Sequence, residues 1–177
     1  SSPYLVMEYL DGVPLHVLLE REGRLAMPRA LHIAIQVAEG VGQAHESGIV
    51  HRDVKPENVL IVKRGADENF VKVLDFGIAR LLWDKETVAT KAGLVFGTAR
   101  YISPEGASGD PTDARSDVYS IAVLTYQLLC GGVPFEGESA VDLLLAHVNQ
   151  RPPDIRHRCD GVPEAVAQVV MRSLSKD

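Results

Sequence analysis

Apolar and polar positions along this chain switch repeatedly between a period near two and a period near 3.6. The run Tyr4-Leu-Val-Met-Glu-Tyr-Leu10 is β-rich, and the turn pair Asp11-Gly12 stops it. Residues 14–22 read as a short helix. Over residues 28–47 the apolar positions Leu31, Ile35, Ala38, Val41 and Ala44 recur at helical spacing, and Gly48 supplies a stop. Residues 59–62 and 71–74 are two short strands around a polar turn, a hairpin-like pair. Residues 75–111 are rich in Gly, Thr and Ser with little periodicity, which predicts a long functional loop. A strongly apolar helix follows over 114–130 and ends at Gly131-Gly132. Ser139 is the N-cap of a helix running to 149, and Pro163 opens another running to 174. The pattern predicts an α+β unit: a mostly helical body with a small hairpin that carries polar clusters at its ends.

Composition narrows the classes. The 177 residues suit one domain, and 46% hydrophobic with 24% charged residues is the balance of a globular protein. A formal net charge of −6 argues against nucleic acid or an anionic membrane as partner, since both require a basic face. No run approaches the roughly 18 apolar residues of a membrane span. Cys130 and Cys159 have no metal-ligand spacing and form no disulfide framework, so they are expected to be small buried apolar residues in a reducing, cytoplasmic setting.

Three polar clusters bracket the hairpin. His51-Arg52-Asp53-Val54-Lys55-Pro56-Glu57-Asn58 precedes its first strand, and Asp75-Phe76-Gly77 follows its second. Further on, Gly97-Thr98-Ala99-Arg100-Tyr101 leads into Ser103-Pro104-Glu105. A hairpin joins its own ends, so Asn58 and Asp75 should be neighbours. Phosphoryl transfer needs a carboxylate for the hydroxyl proton, oxygen ligands for Mg²⁺ and a cation for the transferring group. Asp53, the pair Asn58 and Asp75, and Lys55 supply these in turn. By contrast Gly40-Val41-Gly42 lacks the third glycine of a phosphate loop and lies within a helical stretch, so it reads as helix packing.

Together the clusters resemble the catalytic loop, metal-binding motif and activation segment of Ser/Thr protein kinases, collinear from Tyr4 to Asp177. The resemblance implies ATP and Mg²⁺ as cofactors and protein Ser or Thr side chains as substrates. It implies Asp53 as catalytic base, Lys55 on the γ-phosphate, and Asn58 and Asp75 as metal ligands. Met7, at the gatekeeper position, with the backbone of Glu8 and Leu10 and the side chain of Leu60, would surround adenine. His51 and Phe76 would belong to the hydrophobic column of the active state, and Asp117 would tie down the catalytic-loop backbone. Arg52 would receive a phosphate carried by Thr87 or Thr90, with Thr90 favoured, because a guanidinium grips phosphate oxygens bidentately. Thr98 would hydrogen-bond near Asp53 and Lys55 within the peptide-docking loop.

The same resemblance exposes departures. No glycine-rich loop precedes the hinge-like strand, and Lys55 is the first lysine in the chain. Residues 1–177 are therefore expected to be a partial kinase domain, hinge and C-terminal lobe, without N-terminal lobe or final helix and inactive in isolation. Ser1 and Asp177 are expected to be cuts in a longer chain. Ser103 replaces a usual alanine, and Glu105 is expected to lack the arginine that pairs with it in the family. Phrases such as Gly-Thr-Ala-Arg-Tyr-Ile-Ser-Pro-Glu are similar to bacterial members, which often carry a membrane span and sensor domain downstream. Two other readings stand beside the kinase: a non-catalytic lobe that docks partners, and a small-molecule phosphotransferase. The intact Asp53, Lys55, Asn58 and Asp75 argue against the first, and the long Thr-bearing segment against the second.

Overall fold

A computed structural model of the chain describes residues 6, 8–76 and 97–176. Within them lies a three-stranded antiparallel sheet, order β1-β2-β3, set against a helical body. Strand β1 is Gly12–Pro14, β2 is Val59–Arg64 and β3 is Asp67–Val73. The expected opening strand is displaced: Val6 and Glu8 to Leu10 are irregular, and pairing starts at Gly12, opposite Val62. Gly12 is a close-approach residue rather than a turn. A Cβ there would lie 2.6 Å from the Ile61 carbonyl and from a Val62 methyl.

Helix α1, Leu15–Glu22, buries Leu15, Leu18 and Leu19. Helix α2, Met27–Glu46, has Pro28 in its first turn, where a missing N–H is harmless. Its buried stripe is Ala30, Ile33, Ala34, Val37 and Val41, which keeps Val41 of the stripe that periodicity suggests and otherwise runs one step before it. Ile35 stays more than half exposed, and with Leu31 and Ala38 it lines an apolar groove shared with Val118 and Val169. A Cβ on Gly40 would meet a Val73 methyl at 3.4 Å, so the Gly-Val-Gly stretch is indeed helix packing against β3.

The hairpin is longer than its apolar residues predict, with only Gly65 and Ala66 in the turn. Charged residues extend it: Lys63 pairs with Glu68 at 3.1 Å, and the Arg64 guanidinium lies 4.6 Å from the centre of the Phe70 ring. The predicted long loop is also partly helical. Pro104–Ser108 forms α3, capped by the Ser103 hydroxyl, which accepts from the Gly106 N–H at 3.2 Å.

Helix α4, Ala114–Cys130, is the central post of the body. Asp113 caps its start, and Gly131 ends it at φ 80°, a conformation suited to glycine. Val123, Leu124, Tyr126 and Leu128 are buried to 1% exposure or less, and each such aliphatic contributes about 1.5–3 kcal/mol of burial. Helix α5, Ala140–Asn149, starts in a full capping box between Ser139 and Asp142. A single turn, α6, Ile155–Arg158, and then α7, Glu164–Ser173, complete the described body, with α7 packed on α4.

Candidate active site

Residues 51–58 link α2 to β2 without regular structure until the 3₁₀ turn Pro56–Asn58. Such a segment must find partners for its backbone elsewhere, and Asp117 on α4 provides them. Its carboxylate is fully buried. Oδ2 accepts the His51 N–H at 2.8 Å and Oδ1 the Arg52 N–H at 2.7 Å. The same Oδ2 lies 2.7 Å from His45 Nε2, so α2 is clamped to this carboxylate as well. Arg52 is held at φ 65°, a left-handed conformation that a non-glycine residue adopts only at some cost.

His51, buried, faces the end of the hairpin. Its Nε2 lies 2.9 Å from the Leu74 carbonyl, which can only accept, so Nε2 carries the proton. Nδ1 is then free to accept from the Asp53 N–H at 3.3 Å. The His51 ring also packs on Phe76, centroids 4.7 Å apart.

Three side chains converge beyond this frame. Asp53 Oδ2 receives Lys55 Nζ at 2.8 Å and Asn58 Nδ2 at 3.0 Å. Asn58 Nδ2 donates as well to the Asp53 carbonyl at 2.8 Å. Lys55 Nζ reaches the Thr98 hydroxyl at 3.0 Å, so the docking turn, residues 97–101, is joined to the catalytic loop. Among the described residues, the polar contacts to the Asp53 carboxylate from Lys55 and Asn58 fall on Oδ2.

Asp75 arrives by the hairpin. The Leu74 N–H donates to the Asn58 carbonyl at 2.8 Å, and Asp75 follows at φ 57° with its side chain exposed. With both Nδ2 protons of Asn58 taken by Asp53, its Oδ1 turns away. That oxygen and the Asp75 carboxylate are hard ligands of the kind Mg²⁺ takes, and they fit the ion. Among the described residues, no cluster of three or more His, Cys, Asp or Glu could hold a metal on its own.

Other residues singled out from the sequence are more dispersed. Leu60 is half-buried on β2, its Cγ 3.1 Å from where a Gly12 Cβ would stand. Leu10 is half-buried, and Glu8 is exposed, 3.5 Å from Lys72 Nζ. Arg52 is exposed and makes no ion pair with a described residue. Met7, Thr87 and Thr90 lie outside the described residues, as does Gly77. Glu105, expected to lack the arginine that pairs with it in the family, finds a hydroxyl partner. It is half-buried in the first turn of α3, and its Oε1 accepts a hydrogen bond from the Ser116 hydroxyl on α4.

Residues absent from the motif set hold the docking turn. Ser120 Oγ donates to the Tyr101 carbonyl at 2.7 Å, and the Tyr101 hydroxyl donates to Gln127 Oε1 at 2.7 Å. His147 on α5, fully buried, places Nε2 3.1 Å from the Arg100 carbonyl and takes the Tyr119 hydroxyl proton on Nδ1 at 2.8 Å. Desolvation, with Lys176 nearby and only partly offset by the hydrogen bond to Arg100, pushes the His147 pKa down to about 4. Burial raises the Tyr101 and Tyr119 phenols, so all three groups are neutral. The sequence signal for His147 is a polar residue amid the apolar run Leu143 to Val148.

A family model described as protein kinase domain matches residues 1–176. The serine/threonine-protein kinase PknB of Mycolicibacterium smegmatis is 45% identical over 176 residues, which cover 99% of this chain and 27% of that protein. PknB of Mycobacterium tuberculosis strain H37Rv is 42% identical over 177 residues, again 99% of this chain and 27% of the relative. Serine/threonine-protein kinase pkn3 of Myxococcus xanthus is 42% identical over 178 residues, 98% of this chain and 32% of its own. The chain thus spans about a quarter to a third of the curated relatives it matches.

Proposed function

The chain belongs to the protein kinase domain family, and from that premise we propose that the protein containing it transfers the γ-phosphate of ATP to Ser or Thr side chains of other proteins. The observation that carries this reading is the contact set of Asp53, Lys55, Asn58 and Thr98. Asp53 Oδ1, which makes no hydrogen bond or ion pair among the described residues, orients the substrate hydroxyl and accepts its proton. Lys55, between Asp53 and Thr98, is placed to neutralise charge on the group in flight. Asn58 and Asp75 would hold Mg²⁺, which would supply positive charge to offset that of the phosphates. Met7, Glu8, Leu10 and Leu60 form the adenine side, and Arg52 the receptor for a phosphate on Thr87 or Thr90.

On this reading residues 1–177 are the hinge and C-terminal lobe of a kinase domain. The glycine-rich loop and the phosphate-binding strand lysine have no counterpart among them, so transfer requires the longer protein. The test is transfer of labelled phosphate from ATP to a generic protein substrate by the full-length protein, beside Asp53→Asn. The wild type transfers, and the variant, equally folded, loses about 10³-fold. Equal rates for the two would end the assignment of Asp53. No transfer by either, with Mg²⁺ supplied and the activation segment phosphorylated, would favour the docking lobe instead.

A further inference from the structure

Cys130 and Cys159 are 29 positions apart, yet the fold places their sulfurs 2.7 Å from each other. Cys130 is the last residue of α4, and Cys159 closes α6 just before the segment that leads into α7. Both thiols address one acceptor: the Ile155 carbonyl is 3.6 Å from Cys159 Sγ and 4.0 Å from Cys130 Sγ. A structural zinc takes four ligands, and no metal-binding cluster of described residues surrounds this pair. Cys159 is buried and Cys130 half-buried, so a small oxidant reaches Cys130 first. The charges of Arg158 and Arg24 favour a thiolate at Cys130. Burial and the neighbouring thiol outweigh them and push the Cys130 thiol up, so oxidation proceeds through a minor thiolate form and is slow.

The geometry points to Cys130 and Cys159 as an oxidisable pair whose disulfide fastens the C-terminal end of α4 to the approach to α7. With hydrogen peroxide as oxidant, the Cys130 thiolate attacks one peroxide oxygen. The O–O bond breaks, and the hydroxide released is protonated to water, leaving a sulfenic acid. The Cys159 sulfur then attacks the Cys130 sulfur. An S–S bond forms, the S–O bond breaks, and the departing hydroxide leaves as water with the Cys159 proton. Two thiols have lost two hydrogens, and one peroxide has become two waters. The loop closed spans about 30 residues, enough to raise the unfolding midpoint by on the order of 10 °C.

The test treats the native full-length protein with peroxide, blocks remaining thiols and digests with trypsin. Cleavage at the Arg and Lys positions puts Cys130 in the peptide 116–156 and Cys159 in the peptide 159–172. The two should appear joined, two hydrogens lighter than their sum, and separate on reduction. Cys130→Ser and Cys159→Ser should each abolish the product, and unfolding in urea before treatment should cut its yield at least tenfold. The oxidised protein should also unfold about 10 °C above the reduced one. Separate peptides with alkylated or over-oxidised cysteines, or equal yield from unfolded protein, would overturn the pairing. A joined product with no rise in the midpoint would overturn the fastening.

Discussion

The loop of residues 51–58 and the docking turn of residues 97–101 are both held against α4, but they are held by different chemistry. Asp117 grips the loop with a full buried charge shared among three donors: two backbone N–H groups and His45. On its α4 and α5 side the docking turn is held by neutral groups, each making one bond to it: Ser120 to the Tyr101 carbonyl, Gln127 to the Tyr101 hydroxyl and His147 to the Arg100 carbonyl, while Lys55 reaches its Thr98 hydroxyl from the loop. A concentrated anchor fixes geometry strongly and fails all at once. A distributed one loses little with any single residue, but one member, His147, can be charged by acid. Residues 51–58 are thus locked, and residues 97–101 beside them are tunable.

The sharpest way to break this contrast is Asp117→Ala, which orphans three donors and leaves a void. We expect a loss of about 4 kcal/mol in urea unfolding, within the range for a disrupted buried charge. A loss under about 1 kcal/mol would mean the loop is held elsewhere.

Next in size is the pH dependence of the docking side. The His147 pKa is depressed in the fold to about 4 from 6.5, so between those values the unfolded chain binds the extra proton. Its contribution is fully present above pH 6.5 and is lost as pH falls through 4, about 3 kcal/mol in all. His147→Gln should flatten that stretch of the stability profile, measured by denaturation at each pH. An unchanged slope would take the titration away from His147.

Smallest is Ser120→Ala, which removes one bond from the distributed set and should cost about 1 kcal/mol. Paired with His147→Gln, it should show coupling of a few tenths of a kcal/mol or more if both act on the same turn, while Ser120→Ala with Asp53→Asn should be additive.

The same contrast separates what the sequence disclosed from what it did not. Helices α4, α5 and α7 were legible because capping and stop residues coincide with the ends of apolar runs, as at Ser139 and Gly131. The motif residues were legible because their chemistry is local: Asp53, Lys55 and Asn58 are close in sequence and meet in space. Where the partner is distant in the chain, nothing in the spacing announces it, and so the bonds of Ser120 and His147 to backbone carbonyls and of Gln127 to the Tyr101 hydroxyl had no sign in the sequence. Helices α3 and α6 are too short to show a period; Ser103 and Asp154, as caps, were their only signs. Periodicity placed Val41 correctly on the inward stripe of α2 but set Leu31, Ile35 and Ala38 one step off it, on the groove. Gly12 looked like a turn residue because glycine serves close approach and reversal equally well.

Arg52 and Asp75 are the two non-glycine residues among those described that stand at positive φ, one at each polar end of the hairpin. Each imposes a local penalty of about 1–2 kcal/mol that glycine would relieve. Selection for thermal robustness alone would therefore drive both positions toward glycine. A guanidinium and a carboxylate stand there instead, and on the proposed function that local cost accompanies durability given up for work at both ends of the hairpin.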